Sequence, residues 1–312
     1  MPLPSDTKVV ETSQGLVNVL QDLAGPHPGI RPAHAKGLLL KGTFVPTETA
    51  KSLSKASHFN NPSTPILGRF SNSTGFPELP DTDPNGNPRG FALRFLLAET
   101  PRRIHTDIVT HSVDAFPGTT GEEALALFAA LRDGTGGDYI ATHPKALAFV
   151  QTPKPTPVSF ARQKYYAVNA FKLISAAGKE TFIRYRVVPV AGEAYLDETE
   201  LQGKSADFLF DEISERLSGL GGGAAVEFKL TAQVAEDGDV TNDNTVKWPE
   251  ERSVVELGTI RLEGVAEDQA AQQKHIIFDP IPRVEGVEAS DDPLLQVRAG
   301  VYLISGKERR SA

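Results

Sequence analysis

A chain of 312 residues, 39% of them hydrophobic and 23% charged, has ample apolar material for a packed core and the length of one large domain or two small ones. Its formal charge of −8 argues against a protein that grips phosphate backbones, so no nucleic-acid partner is expected. With no cysteine there is no disulfide, thiolate metal site, iron–sulfur cluster or thiol redox catalysis, and Met1 is the one methionine. No run reaches the roughly 20 apolar residues that span a bilayer. The opening MPLPSDTKVVETSQG has neither the basic nor the apolar region of a secretory signal, which suits a cytoplasmic protein or a periplasmic one with its signal trimmed.

In chain order, residues 14–24 put Leu16, Val17, Leu20 and Leu23 on one helical face, with Ser13 as cap and PHPGIRP as the stop. Residues 34–45 read as a strand, as do 64–71 and 89–97 around the turn-rich FPELPDTDPNGNPRG. Residues 104–117, IHTDIVTHSVDAFP, alternate as a further strand. GEEALALFAALR (121–132) is a helix whose early acids suit its N-terminus. Residues 165–189 read as two long strands joined by an AAGK turn. A helix at 208–217 and strands at 224–237 and 253–264 follow. Residues 291–310 form an amphipathic helix with an acidic, proline-containing start and a basic end. This order predicts an α+β fold dominated by antiparallel strands, with residues 1–312 as one domain and no internal repeat.

Few constellations carry chemistry by spacing alone. GLGGGA (219–224) follows a helix and precedes a strand, the reverse of a phosphate-cradling turn, and reads as a C-cap and turn. His105, Asp107 and His111 share one face of a strand but lack the further ligand that a 3d metal wants, so they read as polar residues of a half-exposed strand. Serine, histidine and aspartate are present, yet no nucleophile elbow is. On the last helix Arg298 and Tyr302 are four residues apart and within reach, with Arg309 near the same face. A guanidinium held against a phenol favours negative charge on its oxygen. By themselves Tyr302 is an amphipathic core tyrosine and His34 a hydrogen-bonded, partly buried histidine.

The order of short motifs changes that reading. RPAHAKGLLLKGTF (31–44), TPILGRFS (64–71), NPRGFALRF (87–95), DAFP (114–117), KWP (247–249), IIFDP (276–280) and GVEASDDPLLQVRAGVY (286–302) run through nearly the whole chain. Their order is that of the haem catalase superfamily, and the chain most resembles the short catalase-related peroxidases, or mini-catalases. The resemblance implies the catalase core: a closed antiparallel β-barrel with surrounding helices, and haem, of the b type, between the barrel and the helix at 291–310. Residues 1–25 would form a helical arm. It implies Tyr302 as the axial iron ligand, Arg298 as the donor to its oxygen, His34 as the distal histidine and Ser71 as the group that orients it. Arg31, Arg69 and Arg309 fall where arginines clamp the haem propionates, and Phe116 falls near the distal side. The implied partners are a hydroperoxide substrate and a small-molecule electron donor, and a homodimer is admitted.

The departures are specific. The strand at 102–117 lacks the distal asparagine of catalases; by register its place falls at Ile104 or His105, and His105 is the candidate substitute donor. The neighbouring aromatic that covers the haem is missing, and Gly306 replaces the histidine between tyrosine and last arginine. The long arm, wrapping segment and flavodoxin-like domain of larger catalases are expected to have no counterpart in these 312 residues. The resemblance and its departures together predict a haem peroxidase acting on organic hydroperoxides, with weaker action on hydrogen peroxide and low catalase activity. The competing readings are a fatty-acid hydroperoxide isomerase, a true hydrogen peroxide dismutase, and a haem-binding protein without turnover.

Overall fold

Alternating side chains give each strand two faces, and here both are put to use. The computed structural model describes residues 2–218 and 225–312. The first half runs α1 (Thr7–Ala24), β1 (Gly37–Pro46), α2 (Glu48–Leu53), α3 (Ser57–Asn60), β2 (Thr64–Ser71), β3 (Gly90–Ala98), β4 (Ile104–His111), α4 (Gly121–Arg132), α5 (Gly136–Thr142) and α6 (Pro144–Gln151). The second half runs β5 (Tyr165–Tyr166), β6 (Phe171–Ile174), β7 (Glu180–Pro189), α7 (Glu198–Gln202), α8 (Phe208–Leu217), β8 (Val226–Val234), β9 (Val254–Val265), α9 (Gln269–His275), β10 (Val287–Ala289) and α10 (Pro293–Ser311). Strands pair antiparallel in the order β7-β5-β4-β3-β2-β1-β9-β8, and the β7–β8 pairing closes this ring into an eight-stranded barrel. Closure leaves none of these strands a free edge. Strands β6 and β10 extend the sheet beside β7.

Aromatic rings fill the barrel. Phe44, Phe70, Phe91, Phe95, Phe160, Tyr165 and Phe228 are fully buried. Phe70 stacks on Phe91 at 4.4 Å and on Phe160 at 4.9 Å, and Phe44 meets Phe95 edge-on at 5.1 Å. Each such burial stabilises the fold by about 1.5–3 kcal/mol. A lumen packed with rings has no space for a large ligand, so the outer face is where one would lie. There Leu39, Leu67, Ala92 and Val109 form an apolar wall, with Ile276 and Phe278 packed against it. Helix α10 lies against α1, α4 and α9.

Several boundaries differ from those the sequence suggests. Helix α1 starts at Thr7, capped by Asp6, and Ser13 lies inside it, its hydroxyl donating to Val9 O (2.6 Å) and to Val297 O of α10 (3.1 Å). A hydroxyl read as a cap is therefore a buried inter-helix contact. Strand β4 ends at His111, because Ser112 N turns back to Arg89 O (2.8 Å) and Val113 N to the His111 ring. The supposed long strand from residue 165 is broken: β5 is two residues, and Ala167–Ala170 leave the sheet before β6. The turn that joins β6 to β7 is as expected. The GLGGGA segment lies outside the described residues. Among the described residues, no helix is long and apolar enough to cross a membrane.

Candidate active site

His34 stands at the mouth of the outer wall, just before β1. Its backbone is in the left-handed region (φ 56°), unusual for a side chain larger than glycine. Two main-chain bonds hold it there, His34 N to Ser73 O (3.0 Å) and Ala35 N to Thr74 O (2.9 Å). Its Nδ1 shares a 3.0 Å hydrogen bond with the Ser71 hydroxyl. The ring lies over Gly90, where a Cβ would sit 2.9 Å from His34 Nδ1 and 2.5 Å from Ser71 Oγ. The RGFA glycine thus makes room for this pair. Burial, then Arg69, Arg31 and Arg298, push the imidazole down to about 4, against a smaller opposing pull from the Asn72 main chain. The ring is therefore neutral at pH 7.

Helix α10 carries the second cluster. Asp292 caps it by accepting from Leu294 N (2.9 Å). Arg298 Nε and Nη2 donate to the Tyr302 oxygen at 3.3 and 3.0 Å, as the four-residue spacing predicts. Arg298 Nη1 donates to Asn169 Oδ1, and Asn169 Nδ2 donates to Asp292 Oδ2 (2.7 Å). The guanidinium is thereby locked from behind while two donors face the phenol oxygen. Asn169, fully buried in the break between β5 and β6, escapes the sequence reading because no local pattern marks it. Tyr302 is half-buried, and among the described residues its oxygen has no protein partner except Arg298. At Gly306 a Cβ would sit 2.3 Å from Ile277 Cδ1, so the 276–280 segment fills the space a larger residue would need.

Three further guanidiniums converge. Arg31 Nη2 and Arg309 Nη2 both donate to Ile276 O, at 2.9 and 2.7 Å, and Arg309 Nε donates to Lys274 O (2.9 Å). Arg69 crosses to Gln273 Oε1 (2.8 Å) and His34 O (3.0 Å). Burial and mutual repulsion hold Arg31 and Arg69 below the ordinary arginine value, and burial with Arg310 does the same to Arg309. None of the three gains a compensating carboxylate among the described residues. Buried cations normally have an anionic partner. A flat apolar ring bearing two carboxylates and a metal would meet all three features at once: the unpaired arginines, the apolar wall and the open Tyr302 oxygen. The donor set fits haem.

Other expectations are corrected or left apart. Ile104 and His105 cannot serve the His34 pocket: His105 pairs with Leu96, while Gly90, under the His34 ring, pairs with His111 at the opposite end of β4. Six residues of strand put His105 about 20 Å away. Asp107 is engaged by Arg94 (2.8 and 2.7 Å) and by Asp279 N (2.7 Å). Among the described residues, no cluster of His, Asp and Glu could hold a metal ion, and Asp107, read as part of a half-exposed strand, is buried. Phe116 is half-buried in the loop after β4.

The catalase family model matches residues 28–117 and 131–312. The chain belongs to the catalase family. Within it, the chain is 34% identical over 306 residues to the catalase-related peroxidase of Mycolicibacterium paratuberculosis, covering 96% of this chain and 95% of that protein. It is 30% identical over 310 residues to the catalase-related peroxidase of Synechococcus elongatus, covering 96% and 88%. Catalase A from Saccharomyces cerevisiae shares the fold, with a TM-score of 0.80 at 22% identity, over 94% of this chain and 64% of its own. The chain thus spans less than two thirds of that solved catalase.

Proposed function

We propose that this protein is a haem-dependent peroxidase that reduces organic hydroperoxides, and hydrogen peroxide more weakly, with electrons from a small-molecule donor. The carrying observation is that Arg31 and Arg309 meet at Ile276 of the apolar outer wall, Arg69 holds the main chain of His34, and none of the three has a carboxylate partner among the described residues, while Arg298 on the helix of Arg309 faces the Tyr302 oxygen. The 30–34% identity to two proteins named catalase-related peroxidase supports the same reading.

The overall change is ROOH + 2 H⁺ + 2 e⁻ → ROH + H₂O, the electrons arriving one at a time from two donor molecules. Haem, held by these residues, would supply redox-active iron chemistry for cleaving the O–O bond. Tyr302 is the iron ligand in this reading, and the two Arg298 donors stabilise negative charge on its oxygen. Arg31, Arg69 and Arg309 hold the two propionates. His34, with Nδ1 fixed by Ser71, takes the hydroperoxide proton at Nε2 and returns it to the departing oxygen. Its low proton affinity keeps the lone pair free at pH 7 and makes the return of the proton easy. Phe116 is assigned to the rim of the distal side.

The test is an absorption titration with added haem, on wild type and Tyr302→Phe, followed by donor oxidation with an organic hydroperoxide. The expected result is a tyrosinate-ligated spectrum that Tyr302→Phe abolishes, and donor-dependent turnover that His34→Ala abolishes without loss of haem. Conversion of a lipid hydroperoxide with no donor would instead identify an isomerase. Haem uptake without turnover of any hydroperoxide would identify a binding protein.

A further inference from the structure

Strand β4 ends in His111, a half-buried ring with a buried Nε2 that the reading above leaves unused. Ser71, Gly90 and His111 are Cα partners across β2, β3 and β4, so their side chains leave the same face of the sheet. Neighbouring strands lie about 4.8 Å apart. Ser71 and His111 therefore flank the His34 ring from opposite sides, with the bare Cα of Gly90 beneath it. Val113 N donates to His111 Nδ1 at 3.4 Å, which makes Nδ1 the acceptor and leaves the hydrogen on Nε2. That Nε2 is buried and has no partner among the described residues. Burial, with Arg298, His34 and Lys154 nearby, pushes the ring down to about 3, so it stays neutral and its second nitrogen stays a donor. Folded proteins rarely leave a buried donor orphaned, so this nitrogen is open to an acceptor on a bound molecule.

We propose that His111 Nε2–H is the second distal group of the pocket, donating a hydrogen bond to the bound hydroperoxide. The inference rests on the haem-pocket reading above. Two imidazoles of opposite polarity then face the substrate. His34 presents a lone pair to the oxygen that carries the proton, and His111 presents a hydrogen to the oxygen that carries the organic group. A hydroperoxide offers one donor and one acceptor side by side, which is the complement of this pair. It is His111, not His105, that supplies the donor missing from the strand.

The experiment uses the full chain. In ¹⁵N-histidine-labelled protein without haem, NMR at pH 7 is expected to find the His111 hydrogen on Nε2; a hydrogen on Nδ1 overturns the inference whatever the variants do. In haem-loaded protein, fluoride, an anion that only accepts hydrogen bonds, is the probe. Its affinity is expected to fall about tenfold in His111→Leu and to return to within about threefold in His111→Asn, whose amide also donates. Equal affinity in wild type and His111→Leu overturns the inference alone, as does an equal loss in both variants. Failure of wild type to take up haem overturns the reading of function and this inference with it.

Discussion

Gly90→Ala probes the distal arrangement with a single carbon. The new Cβ would stand 2.5 Å from Ser71 Oγ and 2.9 Å from His34 Nδ1. Comfortable heavy-atom contacts begin at about 3.5 Å, so one or both groups must retreat by about 0.5–1 Å. The main chain of His34 cannot give way cheaply, because a left-handed φ and the bonds from His34 N and Ala35 N fix it from both sides. The displacement therefore falls on the ring, which turns away from Ser71 and loses the bond that orients Nε2. A misplacement of about 1 Å at a reacting group lowers turnover on the order of a hundredfold. Haem-loaded Gly90→Ala is therefore expected to turn over an organic hydroperoxide about a hundredfold more slowly, measured by stopped-flow absorbance. Haem content should match wild type, because the atoms nearest the new carbon belong to Ser71 and the His34 ring, not to Tyr302 or the arginines. A variant with normal haem and turnover within about threefold of wild type would refute the placement of His34.

Three more expectations follow from the same geometry. His34, His58 and His111 are pushed from the ordinary 6.5 to about 4, 3 and 3, all chiefly by burial. Below pH 6.5 the unfolded chain binds protons that the folded chain refuses, so the Tm of haem-free protein is expected to fall steadily from pH 6.5 towards pH 4. His58→Phe, at a ring already packed 4.0 Å from Phe59, should make that fall shallower in thermal melts. The converging Arg31, Arg69 and Arg309 predict that iron-free protoporphyrin raises Tm and that its dimethyl ester, which lacks the carboxylates, does not, as read by differential scanning fluorimetry. Asn169→Ala leaves Arg298 Nη1 and Asp292 Oδ2 without their bonds, and urea unfolding should report a loss of about 1–3 kcal/mol.

Much of this protein is written locally. The helix at 121–132 and the strand at 64–71 are as their residues suggest, because apolar spacing and turn residues act over short distances. The Arg298–Tyr302 contact is legible for the same reason: four residues on a helix are neighbours wherever the helix goes. Errors arose where the chain leaves the sheet. The strand thought to run to residue 117 stops at His111, and the one from 165 breaks to seat Asn169, both through bonds to distant partners.

By itself, then, the sequence determined elements such as the helix at 121–132 and the strand at 64–71, the motif order that marks the catalase family, and the tyrosine–arginine pair, since each depends on spacing along one segment. Only the tertiary structure decided which end of β4 lies beside His34: the register puts His111, not His105, opposite Gly90. It also decided that Arg31, Arg69 and Arg309, from three separate parts of the chain, meet at one place. Strand register and barrel closure set both outcomes, and register is fixed by pairing between segments far apart in the chain, where a one-residue slip would turn every side chain to the opposite face.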